Sequence, residues 1–387
     1  MKTKIIEKHS YAIETTLTAR DDEFLDRTGS VAPPLYTSAT FARSSDYKLS
    51  GGYNYRRYGS PNVDHAERLI AGIEEGEGAL LFASGMAAMS TYFDSVKNGA
   101  RVVAPGVMYH GGLDLLKRLD SLGRISLQFF DQTSQQSIFQ TIESNRPDIV
   151  WIESPCNPTW DVVDIRAVAA LAKHLGSTLV VDGTGAPPCT TRALKLGADV
   201  VFHSATKYLN GHHDITGGVL VTKHLDDHWK ELPNLRELAG NILSPFDAWL
   251  LIRGMRTLCV RFRYCSRSAL RIAEYLNGHL KIDQVLYPGL QSHPNHSVAQ
   301  EQMTDGFGAT LSILVNGTES EALSLACSMH LFSRATSLGG VESLIEHRRS
   351  VEGPNSTVAS NLLRLSVGLE GTDDLIADLD QALSQLM

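Results

Sequence analysis

The protein has 387 residues, of which 43% are hydrophobic and 32 are glycine, and its formal net charge is −8. This length predicts a globular protein of two domains, and the acidic charge argues against nucleic acid as a partner. The five scattered cysteines form no C-x-x-C pair, and neither a membrane span nor a signal peptide is seen, so we expect a cytoplasmic protein without a disulfide framework.

The first two predicted regions differ in their pattern. Residues 1–58 are rich in Pro, Gly, Ser and Tyr without a sustained period, which predicts an extended arm against a neighbouring subunit. Residues 59–245 alternate helical stretches with short runs rich in β-branched residues: "RVVAP", "ISLQFF", "DIVWIES", "TLVVD", "DVVFHS" and "GGVLVT". This alternation predicts a parallel sheet with crossover helices on both faces.

The rest of the chain predicts a second domain, 246–387. A stretch from 244 to 277 reads as one long helix, opened by Ser-Pro and closed by Asn-Gly, that joins the domains. Beyond it, "GATLSILVNG" and "LLRLSVGL" predict strands among helices. The last helix has one apolar face, made of Leu375, Ile376, Leu379, Leu383 and Leu386.

Polar residues follow the apolar runs at the points where ligands bind in parallel sheets. These residues are Glu153, Asn157, Asp182, Ser204, Thr206 and Lys207. The stretch "ASGMAA" after "GALLF" would open a helix whose free N–H groups suit a phosphate. A phosphate cradle, an aspartate on one strand end and a lysine on the next together describe a pyridoxal phosphate site.

Three longer motifs carry a resemblance to a known family: "HSATKYLNGHHD", "SLGGVESLIEH" and "LLRLSVGLEGTDDLIADLDQAL". Nearly the whole chain is similar to the Cys/Met-metabolism pyridoxal 5'-phosphate enzymes of fold type I, such as cystathionine γ-synthase, cystathionine γ-lyase and methionine γ-lyase. The resemblance implies an α/β fold with a mostly parallel seven-stranded sheet, a smaller α+β C-terminal domain and an N-terminal arm. It also implies a homotetramer, a dimer of dimers whose active sites are shared between subunits.

The resemblance implies roles around the cofactor, position by position. Lys207 matches the Schiff-base lysine and proton shuttle, Asp182 the partner of the pyridine nitrogen, and Tyr109 the tyrosine that stacks on the ring. The phosphate ligands from the same subunit would be Gly85, Met86, Ser204 and Thr206, and those from the neighbouring subunit would be Tyr55 and Arg57. The substrate would be an amino acid whose α-carboxylate is held by Arg364, with Asn157 and Ser337 close by.

These residues also have structural alternatives. Lys207 could reach into water from a strand end, Tyr109 could be a core residue, and Arg364 could form a surface ion pair. A histidine cluster could suggest a metal, but no further ligands stand at usable spacing, so no metal is expected near His203, His212 and His213.

The chain departs from the family pattern chiefly on the substrate side. Thr336 stands where the family usually has a glutamate that helps to read the distal amine of cystathionine. Arg348 replaces the usual proline, and the segment from there to Arg364 is shorter than in most relatives. Arg334, Arg348 or Arg349 could read a different distal charge.

Further departures lie beside the expected cofactor. Gly183 and Gly185 replace an asparagine and an aromatic residue, which predicts additional space there. His110 replaces a glycine after Tyr109 and places a titratable group near the ring.

The resulting hypothesis is γ-elimination or γ-replacement on an L-α-amino acid with a leaving group at Cγ. The departures favour a specialised substrate other than cystathionine, with an O-linked or halide leaving group. The alternatives are an ordinary cystathionine γ-synthase, O-acetylhomoserine sulfhydrylase or methionine γ-lyase, and then an aminotransferase or a non-enzymatic cofactor-binding regulator. A cysteine desulfurase would need a reactive thiol, for which Cys156 and Cys189 are placed best.

Overall fold

The computed structural model describes residues 11–19, 24, 28–354 and 356–386. Its helices are α1 (Ile13–Thr18), α2 (Pro61–Glu74), α3 (Gly85–Asp94), α4 (His110–Ser121), α5 (Gln135–Asn145), α6 (Ile165–Leu175), α7 (Ala193–Leu196), α8 (Asp227–Ala239), α9 (Pro245–Met255), α10 (Leu258–Leu276), α11 (His296–Gln302), α12 (Glu319–Cys327), α13 (Arg348–Glu352) and α14 (Thr372–Leu383). Its strands are β1 (Gly78–Phe82), β2 (Ala100–Pro105), β3 (Ile125–Phe130), β4 (Ile149–Glu153), β5 (Thr178–Asp182), β6 (Val200–Ser204), β7 (Gly218–Thr222), β8 (Ile282–Leu286), β9 (Thr310–Val315), β10 (Ser333–Arg334), β11 (Leu344–His347) and β12 (Leu362–Ser366).

The first sheet has seven strands in the described residues, in the order β1-β7-β6-β5-β4-β2-β3. Strands β2 to β6 pair in parallel, whereas β7 runs antiparallel to both β6 and β1. The connection between β6 and β7 contains no helix, so the chain returns antiparallel without a crossover. This arrangement confirms the predicted mostly parallel sheet.

Alternating residues of these strands enter two separate apolar layers. In β4, Val150 and Ile152 pack into the layer that contains α2, α6 and α9. Trp151 points to the opposite layer, which contains α3 and part of α8. Both faces of the strand are therefore buried, and this is why it reads as a continuous apolar run in the sequence.

The second sheet has the order β10-β11-β12-β9-β8 and is antiparallel except for the β10–β11 pair. Helices α10, α12 and α14 supply apolar side chains to its own core, where Leu375, Leu379 and Leu383 are buried. This smaller α+β unit agrees with the predicted fold class. None of the helices in the described ranges is long and apolar enough to cross a membrane.

The prediction of one long helix over 244–277 is wrong. Helix α9 ends at Met255 and α10 begins at Leu258. At the break, Gly254 packs so tightly that an added Cβ would lie 2.2 Å from the carbonyl oxygen of Asn210. The Gly254 carbonyl accepts a 2.9 Å hydrogen bond from the guanidinium of Arg261, which lies in α10. Close packing and this side-chain hydrogen bond therefore accompany the interruption.

Helix α10 contributes residues to both cores. Its first half supplies Leu258 and Phe262 to the core of the first sheet, and its second half supplies Ile272 and Leu276 to the core of the second. Helix α9 packs in the first core. The domain boundaries at 58/59 and 245/246 stay predictions.

The N-terminal arm is not extended throughout. Ile13 and Leu17 of α1 are buried in the first core of the same chain, so this part of the arm is a docked helix. Residues 1–10, 20–23 and 25–27 of the predicted arm lie outside the described residues. Contact of the arm with a neighbouring subunit stays a prediction.

Candidate active site

A cavity of about 270 Å³ lies at the carboxyl ends of the parallel strands and extends to the second sheet. Most of the predicted site residues line it together, namely Gly85, Met86, Tyr109, Asn157, Asp182, Ser204, Thr206, Lys207, Thr336, Ser337 and Arg364. Because the carboxyl ends of parallel strands meet at one edge of the sheet, residues distant in sequence converge there.

One end of the cavity is formed by the start of α3. Ser84 caps this helix, and its Oγ accepts a hydrogen bond from the amide of Ala87 at 3.0 Å. The amides of Gly85 and Met86 belong to the first turn, which has no acceptor within the helix. A Cβ on Gly85 would lie 3.3 Å from Phe202 and 3.4 Å from Ser204, so only a small residue leaves space at this end.

Lys207 occupies the loop between β6 and β7. Its Nζ donates a 2.9 Å hydrogen bond to Oγ of Ser337, and the Ser337 carbonyl accepts a 2.9 Å hydrogen bond from Arg364. Burial, followed by the positive charge of Arg364, lowers the pKa of Lys207 to about 8. The amine therefore does not reach into water, which removes the structural alternative for this residue.

Two carboxylates end neighbouring strands beside the lysine. Burial raises the pKa of Asp182, although the amide and hydroxyl of Thr184 act in the opposite direction. Burial and then the charge of Asp182 raise the pKa of Glu153 to about 8. Glu153 is predicted only as a polar residue at a strand end, and the structure shows that it accepts 2.8 Å hydrogen bonds from the amides of Tyr109 and Asn157. It thereby fixes the backbone at two cavity positions.

The expected space at Gly183 is already filled. A Cβ on Gly183 would lie 2.8 Å from Cε1 of His203, and Gly183 does not line the cavity. The His203 ring is held by Glu74 of α2 at 2.5 Å, and both side chains are buried. The expectation is therefore wrong for Gly183, because its missing side chain accommodates a histidine instead. Gly185 does line the cavity.

Arg364 belongs to a cluster of four charges, hereafter the Arg–Glu cluster: Arg364, Glu346, Arg348 and Glu352. The first three are buried and Glu352 is half-buried. Oε2 of Glu346 lies 2.6 Å from Arg364 and 2.6 Å from Arg348, and Arg348 reaches Glu352 at 2.6 Å. Arg364 also donates to Oδ1 of Asn157 at 2.9 Å. Arg364 is 4% exposed, so it does not form a surface ion pair.

The other arginines considered from the sequence lie in different surroundings. Arg348 is 2% exposed and lines the cavity, whereas Arg334 is exposed and donates to the carbonyl of Cys327 at 3.3 Å. Arg349 is half-buried and is not among the cavity residues. Of these three arginines, only Arg348 lines the cavity.

Tyr109 and His110 stand at the start of α4. Tyr109 is 41% exposed, so it is not a core residue, and its ring centroid lies 4.8 Å from that of His110. His110 lines the cavity, and its Nδ1 is buried without a hydrogen-bond partner among the described residues. The imidazole thus lies beside the Tyr109 side chain and at the cavity, and its predicted place near the cofactor ring stays a prediction.

Tyr55 and Arg57 are not brought to the cavity of their own chain. Tyr55 is 44% exposed, and Arg57 donates to the carbonyl of Glu237 at 2.9 Å and to the hydroxyl of Tyr58 at 3.1 Å. Their predicted role at the site of a neighbouring subunit remains a prediction.

The surroundings of the cysteines and histidines do not support a cysteine desulfurase or a metal site among the described residues. Cys156 and Cys189 are buried, and burial raises the pKa of each thiol well above its usual value, which disfavours a cysteine desulfurase. His203 contacts Glu74, and Nδ1 of His212 lies 2.8 Å from the carbonyl of Asn210. In the described part of the chain, no group of three or more His, Cys, Asp or Glu could hold a metal ion.

The cavity fits pyridoxal phosphate in the chemistry of its groups. One cavity contains a half-buried lysine with a lowered pKa, a buried carboxylate at a strand end, and a helix start where only a small residue fits. Lys207 would hold the cofactor covalently, Asp182 would pair its ring nitrogen, and the amides of Gly85 and Met86 would face its phosphate.

Comparison with known proteins gives consistent matches. The family model described as "Cys/Met metabolism PLP-dependent enzyme" matches residues 14–384. A cystathionine gamma-synthase of Mycobacterium tuberculosis is 39% identical over 364 residues, which are 92% of each chain. A cystathionine gamma-lyase of Dictyostelium discoideum is 37% identical over 385 residues, 97% of this chain and 99% of that protein. The crystal structure of cystathionine gamma synthase from Xanthomonas oryzae pv. oryzae in complex with cystathionine has a TM-score of 0.92 at 35% identity, covering 97% of this chain and 98% of that one.

Proposed function

Because the chain belongs to the Cys/Met-metabolism PLP-dependent enzyme family, we propose that it catalyses γ-elimination or γ-replacement on an L-α-amino acid with a leaving group at Cγ. The observation that carries this proposal is the connection Lys207–Ser337–Arg364. It joins an amine that can transfer protons to a guanidinium that can bind a carboxylate, with 2.9 Å hydrogen bonds at both steps.

The chain's own groups would divide the reaction between them. Bound pyridoxal phosphate supplies the electron sink that stabilises negative charge at the substrate's α-carbon. The pKa of Lys207, about 8, suits an amine that takes and returns protons near neutral pH, first at Cα and then at Cβ. Arg364 would hold the α-carboxylate by a bidentate contact that lysine reproduces poorly. Loss of the Cγ substituent then leads to an imine that water hydrolyses to a 2-oxo acid and ammonia, or to replacement of that substituent by a nucleophile.

The substrate proposed is one without a distal ammonium, with an O-linked or halide leaving group. Thr336 supports this choice, because it lines the cavity and brings no carboxylate where the family usually has one. A second candidate is an ordinary cystathionine γ-synthase, O-acetylhomoserine sulfhydrylase or methionine γ-lyase. The names of the similar proteins favour this candidate.

Steady-state kinetics would distinguish the two candidates. Cystathionine, methionine, O-acetylhomoserine and 2-amino-4-chlorobutyrate would be compared at equal enzyme concentration, with ammonia and 2-oxo acid as products. We expect the highest kcat/KM for one of the last two. If cystathionine or methionine has the highest value, a lyase of the second candidate is correct. If O-acetylhomoserine is best and added cysteine or sulfide replaces its acetate, a synthase or sulfhydrylase of the second candidate is correct. Amino transfer to a 2-oxo acid, measured in parallel, would point to an aminotransferase instead.

The active unit proposed is a dimer within a homotetramer, with Tyr55 and Arg57 reaching the site of a neighbouring subunit. Two observations support it: the cavity contains same-chain groups suited to phosphate, whereas Tyr55 and Arg57 lie elsewhere on the same chain. A cationic residue supplied by a partner would add charge at the phosphate end of the cavity.

A further inference from the structure

The Arg–Glu cluster has an arrangement that the carboxylate-binding role of Arg364 does not by itself require. A single oxygen, Oε2 of Glu346, lies 2.6 Å from both Arg364 and Arg348. The other oxygen, Oε1, is buried without a hydrogen-bond partner among the described residues. Glu346 therefore directs its charge to two guanidinium groups through the same atom.

Glu346 competes with the substrate's α-carboxylate for Arg364. A carboxylate already paired with this arginine neutralises it, and it also repels the carboxylate of an incoming amino acid. If Arg364 alone compensated Glu346, substrate binding would have to break or share that pair. The cost would be high because the side chains are buried and water cannot replace the lost contact.

Arg348 changes this balance. Arg348 is the first residue of α13, and it pairs with Glu346 and with Glu352, each at 2.6 Å. Arg348 itself is only 2% exposed. Its guanidinium attracts Glu346 through a contact separate from that of Arg364. Burial favours a neutral Glu346, but the charges of Arg364 and then Arg348 outweigh it and hold the pKa of Glu346 below its usual value.

We propose that Arg348 is a positioning residue that holds Glu346 and thereby leaves Arg364 available to the substrate's α-carboxylate. The proposal rests on the proposed function, since it takes Arg364 as the carboxylate-binding group. A direct reading of a distal anion by Arg348 is less well supported. Its two terminal nitrogens are both paired with carboxylates, and Nε is its one nitrogen without a hydrogen-bond partner among the described residues.

The test measures ligand binding to the holoenzyme through the absorption spectrum of the bound cofactor. L-alanine carries the α-carboxylate but no distal group or leaving group, and methylamine carries an amine but no carboxylate. For Arg348→Met, which keeps the apolar stem, we expect Kd for L-alanine to rise about 10- to 100-fold, the usual effect of losing charge-assisted binding. Kd for methylamine should stay within about twofold.

Glu346→Gln provides the complementary variant. Removing the competing charge should leave Kd for L-alanine unchanged or lower it, and Arg348→Met/Glu346→Gln should return Kd to within about threefold of wild type. Arg348→Lys, which keeps a cation, should be affected less than Arg348→Met. As a matched control, Arg271→Met removes an exposed arginine–carboxylate pair and should change neither ligand.

Several results would overturn the proposal. These are an unchanged Kd for L-alanine in Arg348→Met, an equal rise for both ligands, or a tenfold loss of L-alanine binding in Glu346→Gln. If Arg348→Met does not fold, Glu346→Gln keeps the proposal open to refutation, because a tenfold loss of L-alanine binding in that variant would contradict a competing role of Glu346. A Kd for L-alanine that is unchanged in Arg348→Met but a raised KM for substrates with a distal anion would assign Arg348 to that anion instead. Neither ligand needs a leaving group, so failure of the proposed γ-chemistry would appear separately, in turnover alone.

Discussion

Nζ of Lys207 lies 2.9 Å from Oγ of Ser337, a residue whose backbone has a φ of +122°. A non-glycine residue in this region typically costs about 1–3 kcal/mol and persists where its surroundings hold it. Here the Ser337 carbonyl is held by Arg364 at 2.9 Å. The strained serine thus connects the two groups that we assign to proton transfer and carboxylate binding.

Lys207→Ala should abolish both the covalent attachment of the cofactor and turnover. The reason is that no other lysine lines the cavity among the described residues. Reduction with borohydride followed by mass spectrometry would locate the label in wild type and show its loss in the variant. Lys230→Ala, which removes an exposed lysine on α8, is the control and should keep label and activity. Wild-type turnover in Lys207→Ala would refute the proposed chemistry.

The lowered pKa of Lys207 predicts a pH-dependent stability of the apoprotein. The unfolded chain keeps this proton up to its ordinary pKa of 10.5, whereas the folded chain releases it near pH 8. Stability is therefore reduced below pH 8, and the penalty is relieved as the pH rises from about 8 to 10.5. Relative to wild type, Lys207→Met should raise the free energy of unfolding by about 3 kcal/mol at pH 7, and the gain should fade by pH 10.5. Urea unfolding at both pH values measures it, and a gain independent of pH would contradict the prediction.

Gly183→Ala should destabilise the protein. The added Cβ would lie 2.8 Å from Cε1 of His203, whose ring is fixed by Glu74, so the overpacking should cost about 1–3 kcal/mol. Gly217→Ala is the control, because its nearest contact would be an ordinary 3.5 Å to Cβ of Ala205. The denaturant midpoint of Gly183→Ala should be lower than that of Gly217→Ala. Equal midpoints would show that His203 moves aside without cost.

Mixed dimers test whether the active site is shared. After verified subunit exchange, Arg57→Ala protein mixed with Lys207→Ala protein should regain activity, since each hybrid dimer has one site with both residues intact. Random exchange should restore about a quarter of the wild-type sites. The two variants measured separately provide the baseline. Absence of recovery, with hybrids confirmed by mass spectrometry, would place Arg57 outside the partner's site.

Much of the site could be predicted because it depends on local sequence. The apolar runs around Asp182 and Ser204 identify strands, and parallel strands place their last residues side by side. The sequence does not separate helix α9 from helix α10, because the break is accompanied by contact of Gly254 with Asn210, a residue distant in sequence. No periodic pattern marks such a contact.

The buried charges were the least predictable part. His203 and Glu74 belong to β6 and α2, and each is an ordinary polar residue in the sequence until the fold brings them together. Arg348 resembles a solvated arginine in sequence, and its burial depends on Glu346 and Glu352 being placed on both sides of it. Residue types alone predict neither burial nor pairing for these groups.

The strand order has a consequence for synthesis on the ribosome. Strand β1 ends at Phe82 and pairs only with β7 among the described strands, and β7 does not begin until Gly218. At a translation rate of about 5–20 residues per second, β1 would wait roughly 7 to 27 seconds for its partner. During this interval a nascent chain exposes an apolar strand edge that can pair with another nascent chain. We therefore expect chaperone capture to concentrate on chains that have passed β1 but not yet reached β7.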